Sequence, residues 1–185
     1  MRVALALAFA VLGALAAVAS AYPIAIVTLE KYGNITLDLR PDAAPKTVAN
    51  FIELAQSGFY TARAGATLYR YAPSFVIQGG NLLNPSNRTV PLEYKLPNDM
   101  YSIGLARGEQ PNTGSSEFFI NLQNNSAWLA PGGATKDGYT VFATVKAGFA
   151  VVEALTLLPE HAQTQYGGMH MFDTPPIISQ VTIEM

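Results

Sequence analysis

Between Leu68 and Asn81 the chain reads L-Y-R-Y-A-P-S-F-V-I-Q-G-G-N, and this stretch restricts the fold more than any other. Aromatic and apolar residues on both sides of Pro73-Ser74 favour strands. Proline lacks the N–H that a sheet ladder uses, so Pro73 belongs at a turn, a bulge or an edge. Strand, turn, strand is the expected shape. It would set Arg70 and Gln78 on neighbouring strands with their side chains on one face. Gly79 and Gly80 then let the chain bend away.

An arginine is always charged and holds five donors in a planar fork. Among aromatic neighbours and away from bulk water, Arg70 would offer a fixed field to a carbonyl or an amide. Gln78 beside it could accept one N–H and hold the fork still. Taken alone, the pattern fits at least as well an edge arginine pointing to solvent, with Phe75 simply in the core.

The length of 185 residues suggests one domain, and 50% hydrophobic residues are enough for a sizeable core. The formal net charge of −2 leaves no basic stripe, so nucleic acid is not an expected partner. With no cysteine, disulfides, thiol catalysis and zinc–thiolate sites are excluded. His161 and His170 have no partner at metal-ligand spacing and read as surface loop residues. No metal is expected.

Residues 1–21 have the make-up of a secretory signal peptide. Arg2 precedes an uncharged apolar run, Val3 to Val18, and Ala19-Ser20-Ala21 forms a small-residue A-x-A site. Cleavage before Tyr22 would leave 22–185 as the mature domain, with no membrane segment. An uncleaved anchor is the rival reading, because the run is close to the minimum that spans a bilayer. The Ala-rich composition and the A-x-A end favour cleavage. The mature domain would then sit in the secretory pathway: endoplasmic reticulum lumen, periplasm or extracellular space.

Ile24 to Leu29 and Asn34 to Leu39 read as a hairpin around Lys31-Tyr32-Gly33. A helix is expected from Asp42-Ala43-Ala44-Pro45, with Val48, Phe51, Ile52 and Leu54 on one face and Gly58 at its end. Asn50 fits a polar cap for a neighbouring backbone better than a ligand residue. Further strands are expected at Val90–Tyr94, Tyr101–Ala106, Glu117–Leu122, Thr140–Val145 and Ile177–Glu184. A second helix is expected over Ala147–Leu158, and a loop over Pro159–Pro176. Many short strands with two helices suggest a β-barrel or sandwich with helical caps. Asn34, Asn87 and Asn124 open glycosylation triplets, which arise often by chance.

The Leu68–Gly80 stretch resembles the signature F-H-R-x-x-P-x-F-x-x-Q-G-G of cyclophilin-type peptidyl-prolyl isomerases. Arg70, Pro73, Phe75, Gln78, Gly79 and Gly80 match in the right spacing. Leu68, Tyr69, Ser74 and Val76 depart, standing where Phe, His, Gly and Met are usual. A second block, Pro111 to Leu122, resembles the family's S-x-x-S-Q-F-F-I run, with Glu117 in place of Gln. P-K-T-V-A-N-F and Gly58-Phe59-Tyr60 resemble family strings, and Ser102–Arg107 resembles T-x-x-M-A-R. The connection from Tyr60 to Arg70 is about three residues longer than in that pattern. The resemblance runs from about Ile24 to Glu184.

The resemblance implies a mainly β fold: a closed eight-stranded antiparallel cyclophilin-like barrel capped by two α-helices, with the substrate groove on its outer wall. It implies peptidyl-prolyl cis–trans isomerase activity on X–Pro bonds of polypeptides, assisting folding. It implies Arg70 and Gln78 as the catalytic pair. Phe75, Val76, Phe119 and Leu129 would form the floor, and Trp128 and Tyr139 the rim. Ala106 and Arg107 would meet the bound peptide, and Glu117 would lie near the arginine, where a charge-assisted pair could compete with substrate. Proline-containing polypeptides are the implied partners, and Trp128 points to cyclosporin as a ligand, with the longer loop after Thr61 as an obstacle. No cofactor is implied, and a monomer is expected. Two other readings stay open: a proline-peptide-binding module with little turnover, and a barrel holding a small ligand inside.

Overall fold

The computed structural model describes residues 22–164 and 167–185. The expected signal peptide and its cleavage site fall mainly on residues 1–21, outside the described residues.

Among the described residues the strands are β1 (Ile24–Leu29), β2 (Gly33–Leu39), β3 (Thr67–Ala72), β4 (Val76–Gly80), β5 (Ser102–Leu105), β6 (Phe118–Asn121), β7 (Val141–Ala147), β8 (Glu160–Gln163), β9 (Met169–Phe172) and β10 (Ile178–Glu184). The helices are α1 (Pro45–Gln56), α2 (Ser126–Leu129) and α3 (Phe149–Leu155), with 3-10 turns at Ala62–Ala64 and Pro111–Thr113. All pairings between these strands are antiparallel, in the order β10-β1-β2-β7-β5-β6-β4-β3-β9-β8.

This corrects the expectation of a closed eight-stranded barrel with two helices. The sheet has ten strands and its ladder does not close. Between β3 and β10 stand one isolated bridge, Thr67 to Ile177, and two backbone bonds, Leu68 N–H to Pro176 O and Ile178 N–H to Ala66 O. Two causes are local. Pro175 and Pro176 have no N–H to give a ladder. The β8–β9 hairpin also takes part of the free edge of β3, pairing Met171 with Arg70. That hairpin fills the expected Pro159–Pro176 loop and carries His161 and His170. Each imidazole meets a carboxylate, His161 with Asp173 and His170 with Glu160, both at 2.5 Å.

Val90–Tyr94 is not a strand. Val90 makes a single bridge, its N–H donating to Gly114 O at 2.9 Å, and the donors after it go to side chains: Leu92 N–H to Asn112 Oδ1 at 3.0 Å and Glu93 N–H to Thr140 Oγ1 at 2.8 Å. Glu93 is thereby fixed to cap α1. Its carboxylate accepts from the N–H groups of Lys46 and Thr47 at 3.1 and 2.8 Å, in place of the cap that Ala44 cannot supply. The second expected helix is shorter than Ala147–Leu158, because Ala147 ends β7 and Gly148 turns with φ +89°. A side chain at Gly148 would run into the backbone of Asn34.

The core lies between α1 and the inner face of the sheet. Phe51, Tyr60, Phe118 and Phe142 stack there with ring centroids 5.1–5.9 Å apart. Leu37, Leu39, Ile77, Ile103 and Ile120 are buried around them. Each such side chain contributes roughly 1.5–3 kcal/mol when fully buried. A filled interior of this kind argues against a small ligand inside the sheet. Asn50 joins this packing from α1, donating to the carbonyl of Ser115 at 2.7 Å, as expected for a backbone anchor.

Candidate active site

The β3–β4 hairpin folds as its sequence directs. Pro73 and Ser74 make the turn, closed by Phe75 N–H to Ala72 O at 3.0 Å, and Ser74 takes the left-handed φ of +54°. Further along, Leu68 pairs with Gly79 and Arg70 with Gln78, so Tyr69 is an extra residue on β3. A bulge of this kind sets two residues against one on the partner strand and re-aims their side chains.

Gln78 consequently holds both. Its Oε1 accepts from Arg70 Nη1 at 3.0 Å, and its Nε2 donates to the Tyr69 hydroxyl at 2.7 Å. Arg70 Nε is buried and has no hydrogen-bond partner. Burial pulls the Arg70 pKa below its usual value, and the hydroxyls of Tyr69 and Tyr139 push it back. The guanidinium stays a cation at neutral pH.

Alternation along the strands builds the floor. Phe118 points into the core, and its neighbour Phe119 points to the opposite face. Ile77 and Val76 divide in the same way. Val76, Phe119 and Leu129 form a second apolar cluster, with Ala72, Phe75, Ala106 and Tyr139 packed on it. Above it opens a groove of about 350 Å³. Every residue singled out in the sequence lines this groove except Glu117: Arg70, Gln78, Phe75, Val76, Ala106, Arg107, Phe119, Trp128, Leu129 and Tyr139. Trp128 is 61% exposed at the rim. None of residues 61–67 lines the groove, so the longer loop does not obstruct it.

Two lining residues were not expected, Ala134 and Met169. Met169 reaches the groove because β9 lies along β3, a pairing that leaves no local mark in either segment. Behind the floor lies a buried amide network that the sequence also hid. Asn125 donates to Phe75 O and Asn121 Oδ1 at 2.9 and 2.8 Å. Asn121 donates to Ser102 Oγ at 2.9 Å and to Asn98 Oδ1 at 3.2 Å, and Asn98 donates to Tyr139 O at 3.3 Å. Asn125 O also accepts from Leu129 N–H at 2.8 Å, fixing α2 and its Leu129. These bonds tie the segments carrying Phe75, Leu129 and Tyr139 to one frame.

The Arg107 side chain, at a position expected to meet the bound peptide, is held by the protein itself. Its guanidinium donates to the carbonyls of Gly138, Gly108 and Glu109 and to Thr135 Oγ1, at 2.8–3.0 Å. It also lies over the Tyr139 ring, 4.6 Å from the centroid. Arg107 therefore braces the wall by joining its own loop to the segment from Thr135 to Tyr139.

Glu117 lies behind the groove, in a neighbouring depression with Gln78, Ser86 and Thr113. It forms no ion pair with Arg70, contrary to the expected competition. Its Oε1 accepts the Asn81 N–H at 2.9 Å. The carboxyl packs against Gly80, where φ is +144° and no side chain would fit. Burial raises the Glu117 pKa, and interactions with the Tyr69 hydroxyl and the Asn81 N–H pull it back. The neighbour acting on the Glu117 carboxyl is thus the Tyr69 hydroxyl and not Arg70.

Residues 24–181 match the family model "Cyclophilin type peptidyl-prolyl cis-trans isomerase/CLD". The chain belongs to the cyclophilin-type peptidyl-prolyl cis–trans isomerases. Curated relatives carry that name. One from Streptomyces antibioticus is 35% identical over 66% of this chain and 77% of its own. Peptidyl-prolyl cis-trans isomerase B of Escherichia coli is 30% identical over 82% of this chain and 94% of its own. A cyclophilin of Cryptosporidium parvum, solved in the presence of the dipeptide Ala-Pro, superposes with a TM-score of 0.72 at 22% identity. It covers 88% of this chain and 99% of that one, and it supports the cyclophilin fold. In this cyclophilin the departures at Tyr69, Val76 and Glu117 leave the Arg70–Gln78 hydrogen bond in place.

Proposed function

We propose that this cyclophilin isomerises X–Pro bonds of polypeptides in the secretory pathway and so assists their folding. The observation that carries the reading is Arg70. It is a half-buried cation, held by Gln78, with an unspent Nε–H beside a dry apolar floor.

The barrier to be lowered is amide resonance, roughly 18–20 kcal/mol. In the twisted amide that resonance is lost, and the prolyl nitrogen becomes pyramidal and basic. The proline ring sits on Val76, Phe119 and Leu129. Arg70 donates towards the prolyl nitrogen and the proline carbonyl, and the backbone at Ala106 and Arg107 holds the flanking peptide. The donor is fixed before substrate arrives, so it favours the twisted state over either planar isomer. No bond breaks, and these steps call for no nucleophile. The secretory placement is supported by the sequence of residues 1–21.

Expressed as the full chain, the protein is expected in the exported fraction with Tyr22 as its first residue. In that form it should shorten X–Pro exchange in a short peptide from tens or hundreds of seconds to a time set by enzyme concentration. Peptide binding without faster exchange would favour the binding-module reading.

Cyclosporin is proposed as a ligand of the same groove, on the strength of Trp128 at its rim and the clear path past residues 61–67. Calorimetry should detect binding tighter than ~10 µM, about −7 kcal/mol. No heat at tens of micromolar would refute it.

A further inference from the structure

We infer that Tyr69 and Glu117 are positioning residues that fix the direction of the hydrogen bonds running through Gln78 to Arg70. The inference rests on the reading of Arg70 as the donor to substrate. What decides which end of the Gln78 amide faces the arginine?

The carboxamide is nearly symmetric in shape, and only its partners distinguish oxygen from nitrogen. For Arg70 to be held, Oε1 must face Nη1, so the NH₂ must face an acceptor. The acceptor present is the Tyr69 hydroxyl, at 2.7 Å. A hydroxyl has one proton and can point it either way. If the proton turned towards Gln78, the amide would flip and aim its NH₂ at the guanidinium, two donors face to face.

Glu117 removes that choice. An ionised carboxylate accepts and never donates. Its Oε1 is taken by the Asn81 N–H, and its Oε2 is buried with no hydrogen-bond partner. Each of Tyr69 and Glu117 feels the other electrostatically. Oε2 is therefore the acceptor for the Tyr69 proton, and the lone pairs of the hydroxyl turn to Gln78 Nε2. The order then runs one way: Arg70 to Gln78, Gln78 to Tyr69, Tyr69 to Glu117.

The bulge makes this arrangement possible. Because Tyr69 is the extra residue, both it and Arg70 face Gln78. Tyr69 is buried, so water does not compete for its hydroxyl. The titratable groups that face Glu117 are the hydroxyls of Tyr69 and Tyr60. Tyr60 spends its proton on Ser116 O at 2.8 Å. Arg107 borders the same depression as Glu117 but is committed to backbone carbonyls and Thr135.

The test measures kcat and KM on an X–Pro peptide between pH 4.5 and 8. It compares wild type, Arg70→Ala, Tyr69→Phe, Glu117→Gln and the Tyr69→Phe/Glu117→Gln double variant. Tyr69→Phe should lower kcat about tenfold with KM nearly unchanged. Glu117→Gln places a donor where Oε2 stood and should lower kcat several-fold. The double variant should be no slower than the slower single variant, because both cut one chain.

Wild-type kcat should fall as acid protonates Glu117, and that limb should vanish in Glu117→Gln. Stability should move the other way. The Glu117 pKa is raised by burial. Its ionised form therefore weakens the fold, increasingly as pH rises from the unfolded carboxyl value through the folded one. At neutral pH Glu117→Gln should melt higher than wild type while turning over more slowly.

A variant that loses melting temperature and kcat together, with the acid limb intact, would overturn the inference in favour of a packing role. So would wild-type kcat in both single variants alongside a dead Arg70→Ala, which leaves the Arg70 reading standing. If Arg70→Ala were as active as wild type, the Arg70 reading itself would fall. Should Tyr69→Phe fail to fold, the pH profile of Glu117→Gln decides alone.

Discussion

Arg70→Ala is expected to lower kcat/KM by roughly 10²–10³, the usual cost of removing one preorganised donor from a site where charge develops. The groove holds no substitute. Arg107 is bound to three carbonyls and a hydroxyl. KM should change little, because the proposed seat of the proline ring is the cluster of Val76, Phe119 and Leu129 and not the guanidinium. Stability should change by no more than about 1 kcal/mol, since the lost bond to Gln78 is offset by release of a partly desolvated charge. Isomer-exchange kinetics with a thermal melt check both halves. Turnover within threefold of wild type would refute the assignment.

Gly104→Ala is expected to damage binding instead. Gly104 pairs with Phe119 across β5 and β6, and the Phe119 ring lies over it. A methyl at Gly104 would fall among the ring carbons, so the ring must move. Tyr139 borders it edge-on at 5.9 Å, and the strands close the other side. The opening left is the groove, and a ring driven there occupies the proline site. The expected result is a rise in KM of roughly 10–100-fold, or about 1.4–2.7 kcal/mol of binding lost. The fold should pay roughly 1–3 kcal/mol for overpacking. Titration of a proline peptide followed by fluorescence of Trp128 would report the loss. Unchanged affinity would mean that the ring is displaced elsewhere.

The two substitutions separate what sequence could and could not reveal. Arg70, Phe75 and Gln78 were legible through the family signature, which one hairpin presents within a short run of chain; the local pattern alone fitted a solvent arginine as well. Phe119 was legible because neighbouring side chains on a strand alternate, and Phe118 needed the core. Gly104 beneath Phe119 was not, since the contact is between strands. Met169 was hidden for the same reason.

The misreadings also have physical causes. A register shift of one residue at Tyr69 leaves no trace in composition, yet it brings a tyrosine as well as Arg70 to Gln78. Val90–Tyr94 has the look of a strand, but after one bridge at Val90 the N–H groups of Leu92 and Glu93 are claimed by Asn112 and Thr140. Asn98, Asn121 and Asn125 read as ordinary polar residues. Only the fold brings them together beneath the floor.

The incomplete seam between β3 and β10 separates two kinds of change. The β8–β9 hairpin hangs on the edge of the sheet, and its described pairing to the rest of the ladder is Arg70 with Met171. The ladder from β1 through β7 does not pass through it. Its outer strand β8 is exposed or half-buried along its length, so it can be altered without repacking Phe51, Phe118 or Phe142. Yet Met169 stands in the wall of the groove. β9 itself is anchored, with Phe172 in the core against Tyr71, so β8 and Met169 are the parts through which the groove wall can be varied.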